Sequence, residues 1–80
     1  MPTVLRSGPY RIYFYSHEAS EPAHVHVDRD DVSCKFWLSP VGLASNLGFR
    51  ASELRDIERL IEDNADDLLQ KWEEFHGEPR

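Results

Sequence analysis

The stretch His24-Val25-His26-Val27-Asp28-Arg29-Asp30-Asp31-Val32-Ser33-Cys34-Lys35-Phe36-Trp37-Leu38 decides the fold. Apolar and polar residues alternate on both sides of a charged triplet. Period two is the signature of a strand with one buried face. Val25 and Val27 point one way, and His24, His26 and Asp28 the other. After the Arg29-Asp30-Asp31 turn, Cys34, Phe36 and Leu38 share one face, and Ser33, Lys35 and Trp37 the opposite one. The segment reads as a hairpin with an apolar side and a histidine–tryptophan side.

Outward from this hairpin the pattern continues. On its N-terminal side, Val4-Leu5-Arg6 and the aromatic run from Tyr10 to Tyr15 read as strands around Ser7-Gly8-Pro9. Tyr10, Ile12 and Phe14 fall on one face, and Arg11, Tyr13 and Tyr15 on the other. Residues 16–22 form a polar loop with His17, Glu18 and Glu21. On the C-terminal side, Val41 to Leu47 reads as a further short strand, with a helical turn as the alternative. From Ala51 the period becomes helical: Leu54, Ile57, Leu60, Ile61, Ala65, Leu68, Leu69, Trp72 and Phe75 make one apolar stripe, and Gly77 and Pro79 end it. The stripe predicts one long C-terminal helix of about 38 Å. Asp63 and Asn64 are weak helix formers, so a break there, with Asn64 capping a second helix, is the alternative.

The predicted fold is α+β, an antiparallel meander of three to five strands with the helix on one face, in a single domain over residues 1–80. The apolar set Tyr10, Ile12, Phe14, Val25, Val27, Cys34, Phe36 and Leu38 faces the helix. The reverse choice would bury Arg11, Asp28 and Lys35, at several kcal/mol each unless paired. Trp72 and Phe75 read as core, and His24 and His26 as lying off it.

Composition narrows the class. Hydrophobic residues are 40% and charged residues 30%, outside the disordered and membrane ranges. No apolar run reaches the ~20 residues of a spanning helix, and the opening lacks the apolar stretch of a secretory signal. One cysteine allows no internal disulfide. The expected compartment is the reducing cytoplasm. The net charge of −6 is confined to residues 51–80, where four Lys/Arg meet ten Asp/Glu. That balance disfavours nucleic acid as the partner, because such binding runs on neutralised phosphates.

The open face holds the residues that could carry chemistry. Tyr13, Tyr15 and Trp37 beside Arg11 and Lys35 have the composition of a protein-binding surface, either for a partner or for a second copy. The same residues would also suit base stacking. His24 and His26 stand about 6.6 Å apart along the strand. With Asp28, and His17, Glu18 or Glu21 folding back, they could hold a divalent metal such as zinc. As an acid–base pair with Arg11 or Lys35 on the phosphate, they are the minimum kit for a ribonuclease-like toxin. Two solvated histidines without chemistry are the simplest alternative. An interaction module is favoured over an enzyme.

Several runs resemble the domain-of-unknown-function 4160 family. They are Met1-Pro2-Thr3-Val4-Leu5-Arg6, Tyr13-Phe14-Tyr15-Ser16, Glu21-Pro22-Ala23-His24-Val25-His26-Val27, Lys35-Phe36-Trp37-Leu38 and Glu53-Leu54-Arg55…Trp72. The resemblance implies a small prokaryotic protein encoded beside another small protein, in arrangements likened to toxin–antitoxin pairs. It also implies a motif of the His24-x-His26 strand with Lys35, Trp37 and Arg55. Related helices often begin with Ser where this chain has Arg50, which cannot complete a capping box with Glu53. Ser52 is then the expected cap.

Overall fold

The computed structural model describes residues 3–15 and 20–76. His17, Glu18, Gly77 and Pro79 lie outside the described residues. Five strands form one antiparallel sheet in the order β1-β2-β3-β4-β5: β1 (Thr3–Ser7), β2 (Tyr10–Tyr13), β3 (His24–Arg29), β4 (Val32–Leu38) and β5 (Val41–Leu47). Three connections are two-residue turns. Asp30, in the β3–β4 turn, takes φ +54°, a left-handed conformation that Asp tolerates better than most residues. The register pairs Ile12 with Val27 and Val27 with Cys34, and separately Val25 with Phe36, so period two carries one apolar face across the central strands.

The chain leaves β5 through a turn that Gly48 makes possible. Its φ is +109°, and a Cβ there would sit 2.5 Å from Val32 Cγ1. The Asn46 side chain closes the turn. Its Oδ1 accepts from the Phe49 N–H at 3.0 Å, and its Nδ2 donates to the Phe49 carbonyl at 3.0 Å. Phe49 is thereby delivered to the core.

The helical stripe is divided. Helix α1 (Ala51–Asp63) and helix α2 (Ala65–His76) meet at Asn64, with φ −115° and ψ 10°, which corrects the expectation of one long helix. Asn64 Nδ2 donates backward to the Leu60 carbonyl at 2.9 Å, so its side chain serves the end of α1 rather than capping α2. Its own carbonyl accepts from the Leu68 N–H at 2.9 Å and begins α2. At the other end, Arg50 occupies the N-cap position without a side-chain bond. Ser52 lies inside the first turn, not at the cap.

Both helices cover the apolar sheet face. Ile57, Ile61, Leu68 and Trp72 join Ile12, Phe14, Val25, Val27, Cys34, Phe36 and Leu38 in one core cluster. Each large side chain fully buried there contributes about 1.5–3 kcal/mol. Tyr10 is only half-buried, and Phe75 is 48% exposed with its ring 5.3 Å from Phe14, so neither is a full core member. Among the described residues no helix is long and apolar enough to cross a membrane.

Candidate functional site

The site is the sheet face turned away from the helices. Register sets its rows: Tyr13, His26, Lys35 and Ser45 lie side by side across β2–β5, and His24 lies beside Trp37. The rings pack on one another. Tyr13 stacks on His26 at 5.3 Å with 20° between planes. Tyr15 meets His26 edge-on at 5.0 Å and Tyr13 at 5.6 Å. His24 meets His26 at 5.2 Å and Trp37 at 5.8 Å. The Arg11 guanidinium lies 4.7 Å from the Tyr13 ring centre and the Lys35 ammonium 4.8 Å from that of Trp37, both within cation–π range.

Two residues of this face are more buried than alternation alone suggests. His24 is 0% exposed and Tyr13 6%. The expectation that His24 lies off the core is therefore corrected. Its ring reaches the end of the sheet and sits 4.9 Å from Trp72 of α2, while Nδ1 lies 2.9 Å from the Pro22 carbonyl oxygen. Tyr13 packs against Tyr15, His26 and Arg11, and its hydroxyl donates to Asp28 Oδ1 at 3.1 Å. Burial first, then the Tyr15 hydroxyl and the Asp28 carboxylate, push the Tyr13 phenol well above the usual range.

Arg11, Tyr13, Tyr15, His24, His26, Asp28, Lys35 and Trp37 share this neighbourhood, but in different states, whereas Arg55 lies on α1. His26, Lys35, Arg11, Tyr15 and Trp37 are half-buried. Lys35 Nζ donates to Glu21 Oε1 at 2.7 Å. Asp28 is engaged by Tyr13, and among the described residues no group of three or more His, Cys, Asp or Glu is arranged to hold a metal ion. Nearby, an open cleft of about 460 Å³ is lined by Pro22, Ala23, Ser39, Leu69 and Glu73, none of them a sequence-predicted site residue.

Two arrangements escaped sequence reasoning. Glu53, in the first turn of α1, accepts from Arg29 Nε at 2.6 Å, Arg29 Nη2 at 2.9 Å and the Tyr10 hydroxyl at 2.8 Å. Arg29 and Tyr10 together hold the Glu53 carboxyl below the usual carboxylate range. The signal was present: period two puts Arg29 on the side of Val25 and Val27, where an inward cation needs an acid. The second is His76, whose ring lies 3.9 Å from that of Trp72. Its Nδ1 is 2.9 Å from the Trp72 carbonyl oxygen and its Nε2 is 3.1 Å from that of Tyr15, which ties the end of α2 to the open-face segment. No local pattern announces that contact, which joins residues 61 apart in the chain.

No curated protein and no solved structure matches the chain. Residues 10–73, which include β2 to β5, α1 and most of α2, match the family profile described as a domain of unknown function (DUF4160). With that match covering most of its length, the chain belongs to the DUF4160 family.

Proposed function

We propose that this protein is a small interaction and regulatory module, one component of a toxin–antitoxin-like pair, that binds a protein partner through the open sheet face. One observation carries the reading. Tyr13, Tyr15, His26 and Trp37 are already packed ring on ring, with Arg11 and Lys35 held over them, on the face opposite the core cluster, which α2 reaches at His24 and Tyr15. Aromatic and arginine side chains dominate binding hot spots. Preorganised ones lose little rotamer freedom on docking.

The competing readings draw less support. A histidine-based ribonuclease needs both imidazoles at the substrate, and His24 is fully buried with Nδ1 against Pro22. A zinc regulator using His24, His26 and Asp28 needs a carboxylate that Tyr13 already engages. Nucleic acid is opposed by the net charge of −6. The two-component role rests on what the family resemblance implies about gene arrangements, and the cytoplasmic setting on the single, buried cysteine.

Co-expression with the product of the adjacent gene tests the proposal. Wild type should retain that product through purification, and a Tyr15→Ala/Trp37→Ala variant should bind it at least about tenfold more weakly, since hot-spot truncations cost upward of about 2 kcal/mol. Equal binding by wild type and variant, or no binding by wild type, overturns it.

A further inference from the structure

We infer that His76 is a proton-operated clasp that sets Tyr15 in place on the open face, a reading that rests on the open-face proposal above. The strand pairs of β2 end at Tyr13, so Tyr15 stands two residues past them. Its ring nevertheless meets His26 at 5.0 Å and Tyr13 at 5.6 Å. Helix α2 reaches this segment from 61 residues away in the chain, where His76 Nε2 lies 3.1 Å from the Tyr15 carbonyl oxygen. The same ring also turns back to its own helix, with Nδ1 2.9 Å from the Trp72 carbonyl oxygen. Where the Tyr15 backbone sits decides how its ring stands against His26. His76 is therefore a positioning residue for the surface and not part of it.

The chemistry of the two contacts makes the clasp sensitive to protons. A carbonyl oxygen only accepts, and a neutral imidazole carries one N–H. A neutral His76 therefore donates to one carbonyl and turns a lone pair toward the other. The imidazolium donates to both, and hydrogen bonds from a charged donor are the stronger kind. Two further features suit the cation. His76 lies in the last turn of α2, where the helix carbonyls concentrate negative potential. The ring centres of Trp72 and Phe14 lie 3.9 and 5.4 Å away, inside the distance at which aromatic rings attract a cation. The titratable groups on the elements that meet here are Glu73 and Glu74 of α2, Tyr15 itself, and His24 and His26 of β3, whose rings meet Trp72 and Tyr15. The two acids favour a charged His76, and charge on either of the other histidines opposes it. Histidine changes charge between about pH 5 and 8. The clasp is closed on the acid side of that range and slackens above it.

The carbonyl carbon shift of Tyr15 in the isotope-labelled protein, followed from about pH 5 to 8, tests this. The shift should move together with the His76 ring signals. In His76→Gln the side-chain amide reaches the same carbonyl at every pH, so the shift should hold its acid-side value. His76→Ala should lose the contact at every pH and weaken the nuclear Overhauser contact between Tyr15 and His26. His76→Asn, whose shorter amide reaches only the Trp72 carbonyl, replaces the alanine variant should that one not fold. Binding to the product of the adjacent gene should fall roughly tenfold in His76→Ala, the weight of one hydrogen bond from a charged donor, and return in His76→Gln. A Tyr15 shift indifferent to pH, or one that moves as far in His76→Gln as in wild type, overturns the inference, as does wild-type binding by His76→Ala. The shift titration needs no partner. A wild type that shows it yet binds no product supports the clasp and counts against the open-face proposal alone.

Discussion

The ring of His24 lies 4.9 Å from that of Trp72, and this contact joins the rings of the open face to the core beneath the helices. Through it, Phe14, Trp72, His24, His26 and Tyr13 form a continuous run of touching rings from one side of the sheet to the other. His24 and His26, two residues apart, therefore do different work. Truncating His24 removes a fully buried side chain and should cost about 2–4 kcal/mol, as other buried large-to-small changes do. Truncating His26 removes stacking worth about 1 kcal/mol. Phe36→Ala should cost about 3–5 kcal/mol. Urea denaturation of the three variants checks the order: Phe36→Ala and His24→Ala low, His26→Ala near wild type.

Acid should loosen the start of α1. Arg29 chiefly, then Tyr10, hold the Glu53 carboxyl below its ordinary value of 4.5. A depressed carboxyl stabilises the fold fully above its unfolded value and loses that contribution as pH falls through the folded one. Wild type should therefore lose stability below about pH 4.5. Glu53→Gln should start lower at neutral pH and show a shallower acid slope. Thermal melts over an acid pH series measure both.

Alkali should act through the buried Cys34 thiol and the half-buried Tyr10 phenol. Burial pushes the Cys34 thiol from 9.0 up to about 12. Burial, then the hydrogen bond to Glu53, pushes the Tyr10 phenol from 10.0 up to about 12. A raised group stabilises fully below its unfolded value and loses that contribution as pH climbs to the folded one. Stability should hold to about pH 9 and then fall. Cys34→Ser should delay the onset, and Tyr10→Phe should flatten the slope above about pH 10.

Gly48 is fixed by geometry. Its φ of +109° disfavours any side chain, and a Cβ meets Val32 Cγ1 at 2.5 Å. Gly48→Ala should cost about 1–3 kcal/mol. Val32→Ala in the same chain should recover part of that loss, which a double-mutant cycle measures.

Alternation made the central hairpin, the buried face and the open-face membership legible, because strand side chains obey a strict period of two. Phe14, Val25 and Phe36 went inward for that reason. Alternation does not say how far the helical layer extends past the sheet, so it missed that Trp72 reaches His24 and that His24 is buried. The helix break was legible only as an alternative. Asn64 is weakly unfavourable in a helix, and its side chain turns back to the Leu60 carbonyl at the end of α1. The Arg29–Glu53 clamp joins a strand end to a helix start and is invisible to any single-segment period.

The most direct test of the open face as the functional surface is an amide chemical-shift map of the isotope-labelled protein, titrated with the product of the adjacent gene. The account predicts the largest shifts at Arg11, Tyr13, Tyr15, His26, Lys35 and Trp37, with α1 unperturbed. Shifts confined to the outer surfaces of α1 and α2, or no shifts at all, would contradict it.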